Sequence, residues 1–71
     1  MQRFPVHSSV ITALGYDDES ETLEVVFRTG RIYHYLSVPR ADYETLRRAG
    51  SIGGHFNRKI RDRFEAREVT L

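Results

Sequence analysis

The chain has 71 residues, contains no cysteine and carries a formal net charge of +1. A chain of this length forms a single domain with a small core, and the lack of cysteine excludes disulfides and thiolate metal sites. No apolar run approaches the ~20 residues of a membrane span, and residues 1–7 lack the apolar segment of a secretion signal. We therefore expect a cytoplasmic protein.

Charge is distributed unevenly along the chain. Residues 1–27 have a net charge of −4, whereas residues 28–71 have a net charge of +5 and hold nine arginines and one lysine. A basic half is typical of a phosphate-binding surface. Acidic residues interspersed among the arginines are more often the mark of a solvated surface with local ion pairs. Both interpretations remain open from charge alone.

Three segments in the first half have the pattern of β-strands. Residues 10–16 are rich in β-forming side chains and end at an acidic cluster, residues 17–21, that favours a turn. Residues 22–27 alternate apolar and polar side chains, which is the period of a half-buried strand. Residues 31–37 form the third predicted strand, because Val38 and Pro39 end the β pattern.

The turn between the second and third strands decides which face Tyr33 and Tyr35 share. A two-residue loop would place both tyrosines on the side away from Val25, as a platform. A three-residue loop over residues 28–30, with Gly30 supplying a positive φ, instead opposes Val25 to Tyr33 and Leu23 to Tyr35. We favour the three-residue loop, which places both tyrosines on the core side. The opposite face then carries Val26, Ile32, His34 and Leu36, and is unusually apolar for a face in open solvent.

The period changes to that of a helix after the third strand. Pro39 suits the first turn of a helix, with Ser37 as its N-cap. Tyr43 and Leu46 follow on one face, and Gly50 ends the helix. Arg47 and Arg48 lie in the last turn, where positive charge complements the helix dipole.

A second helix follows directly. Ser51 is its predicted N-cap, and one apolar stripe recurs every four residues, at Ile52, Phe56, Ile60 and Phe64. The predicted fold class is α+β, a three-stranded antiparallel β-meander followed by two α-helices packed on one face. Its core spans residues 8–64, and residues 1–7 and 65–71 are terminal extensions. Residues 65–71 give no firm signal and form either a short edge strand or a frayed end.

This order of features resembles the KTSC domain, a module at the C-terminus of some lysyl-tRNA synthetases that also occurs as small free-standing bacterial proteins. Several short motifs, spread over most of the chain, carry the resemblance. They are Ser8-Ser9 with Ile11, Gly15-Tyr16-Asp17, Leu23-Glu24-Val25 with Phe27 and Gly30, Tyr33-His34-Tyr35, Val38-Pro39, Ser51-x-Gly53, Phe56-Asn57 and Ile60-Arg61. The association with a tRNA-charging enzyme implies an RNA-binding role.

The sequence gives little support for a metal site, for two other nucleic-acid-binding motifs or for catalysis. His7, His34 and His55 lie far apart with no ligand spacing, so no metal and no cofactor are expected. Residues 50–53 spell GXXG, but a KH domain needs strands after its second helix, so we interpret these glycines as a helix end and a turn whose amides could hold an anion. A helix-turn-helix interpretation is weakened by Asp62 beside Arg58. No nucleophile motif is present, and we expect a protein without catalytic activity.

Two functions follow from these patterns. The first is RNA binding, to tRNA-like or single-stranded RNA, with arginine-rich helices contacting phosphates and the Tyr33-His34-Tyr35 segment stacking on bases. The candidate residues are Arg31, Tyr33, His34, Tyr35, Arg47, Arg48, Arg58, Lys59 and Arg61, with Gly30, Gly53, Phe56 and Asn57 as a supporting structural motif. The second is a protein-interaction adaptor that uses the apolar outer face of the sheet. We further expect the Asn57 amide to bond backbone near the glycine loop.

Overall fold

The computed structural model describes residues 1–70 and contains one five-stranded antiparallel sheet and two helices. The elements are β1 (Arg3–Pro5), β2 (Ile11–Asp17), β3 (Thr22–Phe27), β4 (Ile32–Tyr35), α1 (Arg40–Arg47), α2 (Ile52–Lys59) and β5 (Ala66–Val69). The strands follow one another in the sheet in chain order, and both helices are inserted between β4 and β5. The α+β class with two helices is confirmed, but the prediction of three strands was too low.

The two additional strands lie at the edges of the sheet. Strand β1 pairs with β2 through Arg3↔Gly15, Phe4↔Leu14 and Pro5↔Ala13, and β5 pairs with β4 from Ile32↔Val69 to Tyr35↔Ala66. An edge strand tolerates proline because its outer N–H groups need no partner, and charged residues on an edge discourage pairing with other chains. The predicted terminal extensions therefore complete the sheet, although Leu71 lies outside the described residues.

The β3–β4 turn confirms the three-residue loop. The amide of Phe27 donates to the carbonyl of Arg31 at 2.8 Å, and Gly30 adopts φ +95°. The resulting register pairs Leu23 with Tyr35 and Val25 with Tyr33, as the sequence predicts. Both tyrosines therefore project from the face of the sheet that carries the helices.

In the segment between β4 and α1, the end of the strand and the N-cap of the helix both differ from the sequence prediction. Strand β4 ends at Tyr35 rather than at Ser37, because Ser37 takes a left-handed φ of +58° that turns the backbone out of the sheet. Ser37 is therefore not the N-cap of α1. Pro39 holds the N-cap position in an extended conformation and provides no side-chain hydrogen bond. The fixed φ of proline accounts for the start of the helix there without a capping side chain.

Helix α2 begins as predicted and ends earlier. The Ser51 hydroxyl accepts a hydrogen bond from the Gly54 amide at 3.3 Å, which confirms it as the N-cap. The helix ends at Lys59, with Ile60 as its C-cap, so Phe64 reaches the core from the following turn. The apolar stripe thus continues for about one turn beyond the end of the helix.

A single core fills the space between the sheet and the two helices. The ring of Tyr16 on β2 stacks on Tyr43 of α1, with ring centroids 4.8 Å apart and planes 8° apart, which ties this helix to the sheet. The buried core side chains are Ile11, Leu14, Leu23, Val25, Tyr35, Val38, Tyr43, Leu46, Ile52, Phe56 and Ile60. We call the sheet surface away from the helices the outer face. Within residues 1–70, neither helix is long and apolar enough to cross a membrane.

Candidate nucleic-acid interface

An open groove of about 510 Å³ lies between α2 and the β3–β4 hairpin. The sheet and the hairpin provide one wall and most of its floor, and α2 with the turn after it provides the other wall and adds Phe56 to the floor. Its lining residues are Val10, Phe27, Arg28, Thr29, Arg31, Tyr33, Tyr35, Gly53, Phe56, Asn57 and Arg61. A volume in the range of ~300–1,000 Å³ is usual for sites that hold small ligands. We call this feature the groove.

Four aromatic rings form the floor of the groove. Phe27 lies edge to face with Tyr33 at 5.7 Å and with Phe56 at 5.6 Å, and Tyr35 lies edge to face with Phe56 at 5.3 Å. Phe56 and Tyr35 are buried, whereas Phe27 and Tyr33 are only partly buried. The partly buried pair is therefore the part of the floor that a bound group would contact.

Three arginines stand around this floor. Arg28 donates to the Ser8 carbonyl at 2.5 Å, and Arg31 lies 3.6 Å from Glu68 of β5 with its side chain 65% exposed. Within residues 1–70, Arg61 has no carboxylate within ion-pair distance. The lining side chains carry three positive charges and no negative charge. Two carboxylates are close to the lining, Glu68 beside Arg31 and Asp62, which is near enough to act on Tyr35. The electrostatic character of the groove thus favours an anionic ligand.

The tyrosine hydroxyls add polar groups at the margin. The Tyr33 hydroxyl is 3.4 Å from Glu68 Oε1, which is a long hydrogen bond. Burial raises the pKa of Tyr35 above its ordinary value, with a smaller contribution from the neighbouring Tyr33. Tyr35 therefore stays protonated at neutral pH and keeps its O–H as a donor.

Asn57 and Gly53 occupy the α2 wall for different reasons. Asn57 is exposed and its amide makes no hydrogen bond within the described chain, so the prediction that it bonds backbone was wrong. Asn57 lines both the groove and a smaller hollow beside the glycine loop. A Cβ added to Gly53 would lie 2.9 Å from Val10 Cγ2. Gly53 is therefore required for the close packing of α2 on the segment before β2, whether or not a ligand binds.

A second hollow, of about 260 Å³, adjoins the groove at the N-terminus of α2. The amide of Gly54 is already bonded to Ser51, and the Ser8 hydroxyl accepts from the amides of Val10 and Ile11. These bonds satisfy backbone donors that an anion would otherwise contact. The anion site expected from the glycine loop stays a prediction.

The structure separates the remaining candidate residues from the groove. His34 lies on the outer face, where its Nε2 is 2.8 Å from Glu24 Oε2, because neighbours along a strand point to opposite faces. Arg47 and Arg48 lie at the end of α1 beside Glu44, at 2.6 and 3.9 Å. Arg58 and Lys59 are exposed on α2 but do not line the groove. Of the residues predicted to bind nucleic acid, the groove brings together Arg31, Tyr33, Tyr35 and Arg61.

Glu24 forms a polar centre on the outer face that the sequence analysis did not identify. This residue is only 6% exposed, and its carboxylate accepts from Arg3 Nε at 2.5 Å as well as contacting His34. Burial raises the pKa of Glu24, but the bonds from Arg3 and His34 outweigh burial and hold the pKa below its ordinary value. The signal was available, since the three-residue turn places Glu24 directly opposite His34.

The sequence and the fold of the chain match those of a known protein family. A family model described as the KTSC domain matches residues 7–64, and the chain belongs to that family. The resemblance inferred from the short motifs is therefore confirmed. In the solved structures, a KTSC domain protein from Yersinia pestis matches with a TM-score of 0.95 and 38% identity, covering 97% of both chains.

Relatives occur both as small proteins and as part of a large one. The chain is 44% identical over 57 residues to an uncharacterized protein of Stutzerimonas stutzeri, with 80% of each covered. It is 36% identical over 62 residues to a lysine–tRNA ligase of Nostoc punctiforme, a match that covers 87% of this chain and 11% of the ligase. The likeness to the ligase is thus confined to a small part of that protein.

Proposed function

We propose that this KTSC domain is a non-catalytic RNA-binding module that holds single-stranded RNA in the groove. The observation that carries the proposal is an aromatic floor surrounded by three arginines on one surface. Proteins that bind single strands combine a positively charged groove, which follows the backbone, with aromatic side chains on which bases stack. The groove has both components, and a base-paired helix would not present an open base face to its floor.

The pairing of the arginines supports this choice of surface. Arg40, Arg47 and Arg48 converge on the Glu44 carboxylate, and Arg3 bonds to Glu24, so these cations are partly neutralised within the protein. At the groove, Arg61 has no such partner within residues 1–70, and Arg31 has one exposed partner at 3.6 Å. Phosphate binding depends on cations that can exchange counterions for a phosphate, which the groove supplies.

The relatives add a separate argument. The lysine–tRNA ligase of Nostoc punctiforme contains a region 36% identical to this chain. A domain joined to an enzyme that acts on tRNA fits a role in holding RNA. The same domain in a small protein would then bind RNA without being joined to a ligase.

The test is a fluorescence anisotropy titration of a labelled single-stranded RNA ten-mer at several salt concentrations from ~50 mM upward. The variant carries Arg31→Gln and Arg61→Gln, and the matched control carries Arg47→Gln and Arg48→Gln. Each lost phosphate contact to a single strand removes about 0.7 from the slope of log affinity against log salt, so we expect the groove variant to lose about 1.4. The control should keep the parent slope.

Each other outcome has a definite meaning. An equal loss of slope in both variants would mean that the end of α1 contacts phosphate as much as the groove does, and would contradict the groove as the specific binding surface. No binding by the parent at ~50 mM salt, where electrostatic attraction is strong, would reject the RNA proposal.

A second candidate function is a protein-interaction adaptor that uses the outer face. An apolar row formed by Ala13, Val26, Ile32 and Val69 crosses four strands there and is not covered by the helices. Ile32 is only 8% exposed, however, so this row offers less apolar surface than the sequence pattern implies. For this reason the groove is the better supported site.

A further inference from the structure

We infer that the outer edge of strand β5 is a docking surface for a second copy of this chain, which pairs with it antiparallel about a two-fold axis at Ala66. This interaction is separate from the proposed function and involves no RNA. A strand at the edge of a sheet presents N–H and C=O groups that can pair with another strand. The sheet has two such edges, β1 and β5, and they differ in what they present.

Strand β1 is poorly suited to pairing with another chain. The amide of Val6 donates to the carbonyl of Thr12 at 3.1 Å, so the backbone groups of Val6 and, two residues earlier, of Phe4 face β2. The backbone groups of Arg3 and Pro5 therefore face outward, and Pro5 has no N–H to donate. Of the three residues of this strand, Arg3 is the one that presents an outward amide.

Strand β5 presents a more complete edge. The amide of Leu36 donates to the carbonyl of Glu65 at 2.8 Å, and bonded pairs alternate along an antiparallel ladder. The backbone groups of Arg67 therefore bond to β4, whereas those of Ala66 and Glu68 face outward, each with a donor and an acceptor. Ala66 and Glu68 are exposed although their side chains lie on the face that carries the helices, so neither α1 nor α2 covers this edge.

The charges of β5 favour a second copy as the partner. Charged side chains on an edge oppose pairing with most strands. When two copies of β5 pair antiparallel about Ala66, however, Arg67 of each copy lies directly opposite Glu65 of the other on the outer face. An axis at Arg67 or at Glu68 would instead place two like charges opposite each other, which is destabilising. The register about Ala66 is therefore complementary to itself, and the interface is isologous.

An interface of this kind closes at two copies. Its axis is perpendicular to the sheet, so the two five-stranded sheets join into one, with the helices of both copies on the same face. Both outer strands of the joined sheet are then β1, in which Pro5 discourages a further addition. Because the interface is a short strand pair rather than a shared core, we expect a dimer that forms only at high protein concentration.

Sedimentation equilibrium of the full chain from ~10 μM to ~1 mM measures this association, in the range expected of a small interface. The apparent mass of the parent should rise from that of one chain toward that of two. Arg67→Glu gives the outer face of β5 two negative charges and Glu65→Arg gives it two positive charges, so each variant alone should keep the mass of one chain. An equimolar mixture of the two variants should regain the mass of two, because every pair across the axis then has opposite signs. Arg48→Glu, an equal change of charge at the end of α1, should behave as the parent does.

Heteronuclear NMR of the parent tests the same edge without a variant. As the protein concentration rises, the amide resonances of Ala66 and Glu68 should shift, and that of Arg3 on β1 should not. Both mutated positions are exposed, so the variants are expected to fold, and circular dichroism checks this.

Three outcomes would overturn the inference. They are a parent that keeps the mass of one chain at ~1 mM, a mixture of folded variants that behaves like its two components, and a shift at Arg3 rather than at β5. The first would leave the β5 edge to a strand of another protein, and the last would assign association to the other edge of the sheet. All of these measurements are made without RNA, so their failure would leave the proposed function as it stands.

Discussion

Tyr33 and Tyr35 project from the same face of β4, yet they have different surroundings. Tyr35 is 5% exposed and lies in the core against Phe56, whereas Tyr33 is partly exposed at the floor of the groove. The two tyrosines therefore have different roles, although they lie on the same face of the strand. Tyr35 is a core residue whose ring also borders the groove, and Tyr33 is the ring available to a ligand.

This difference predicts a separation of stability from binding. Tyr35→Ala should lower the free energy of unfolding by about 3 kcal/mol, as truncation of a buried aromatic does. Tyr33→Ala should cost less than half of that, but should weaken RNA binding by about 1–3 kcal/mol through lost stacking. Urea denaturation and anisotropy titration measure the two effects, with Tyr33→Phe as the control that keeps the ring. Equal destabilisation by both alanine variants would contradict this assignment.

Glu24 gives the outer face a dependence on pH. Its folded-state pKa lies below the unfolded value, so ionised Glu24 contributes stability above the unfolded pKa of ~4.3, and that contribution is lost as the pH falls through the lower folded pKa. Glu24→Gln should therefore destabilise the domain by about 1–2 kcal/mol at pH 7. Because protonation removes the same charge, the difference between parent and variant should shrink toward pH 3.

Thermal or urea unfolding of both proteins from pH 7 down to pH 3 measures this convergence. Exposed Glu65→Gln is a suitable control, since that side chain is 66% exposed and its one ion pair within residues 1–70 is with Arg67 of its own segment. A constant difference between the parent and Glu24→Gln over the whole range would show that shape rather than charge is what Glu24 contributes.

At the scale of elements, the groove depends on strand β5. Glu68 of β5 contacts both Arg31 and Tyr33, and β5 is held to β4 by an edge pairing only four residues long. The amide of Leu36 donates to the carbonyl of Glu65 at 2.8 Å, which makes these two residues a hydrogen-bonded pair. Because such pairs alternate along an antiparallel ladder, the next one joins His34 and Arg67, and the amide of Glu68 points away from the sheet.

Proline substitutions test this alternation. Arg67→Pro removes an amide that bonds to β4, whereas Glu68→Pro removes one that faces outward, so we expect Arg67→Pro to be less stable by at least about 1 kcal/mol. Urea denaturation of the two variants gives the comparison. Equal destabilisation by the two variants would mean that the Arg67 amide does not bond to β4 as inferred, or that β5 contributes little to the stability of the sheet.

For the whole molecule, the Cα radius of gyration is 10.8 Å, close to the ~11 Å expected for a single compact domain of this length. Strands β2 to β4 and both helices could be predicted because each is either rich in β-forming side chains or shows the period of an apolar face in its sequence. Strands β1 and β5 could not. The first contains a proline within three residues, and two of the four residues of the second are charged. Each acquires its strand conformation from the neighbour to which it pairs.

The candidate site was predictable only in part, for a related reason. Arg31, Tyr33 and Arg61 could be identified from residue type, but their convergence depends on how α2 packs across the sheet. Phe27 and Arg28 join them through the same packing and were not expected to contribute. His34 was grouped with its neighbours because it lies between them in sequence, although strand alternation places it on the other side of the sheet.

The agreement between strand order and chain order has a consequence for folding kinetics. Strands β1 to β3 each pair with the strand that follows, across connections of a few residues, so most of the sheet closes short loops. Only the β4–β5 ladder must bridge residues 36–65, which include both helices. Loop closure costs more entropy as the loop lengthens, and long-range pairings slow folding. The meander and its helices can therefore assemble first, and the docking of β5 beside Arg31 and Tyr33 becomes the final step that completes one border of the groove.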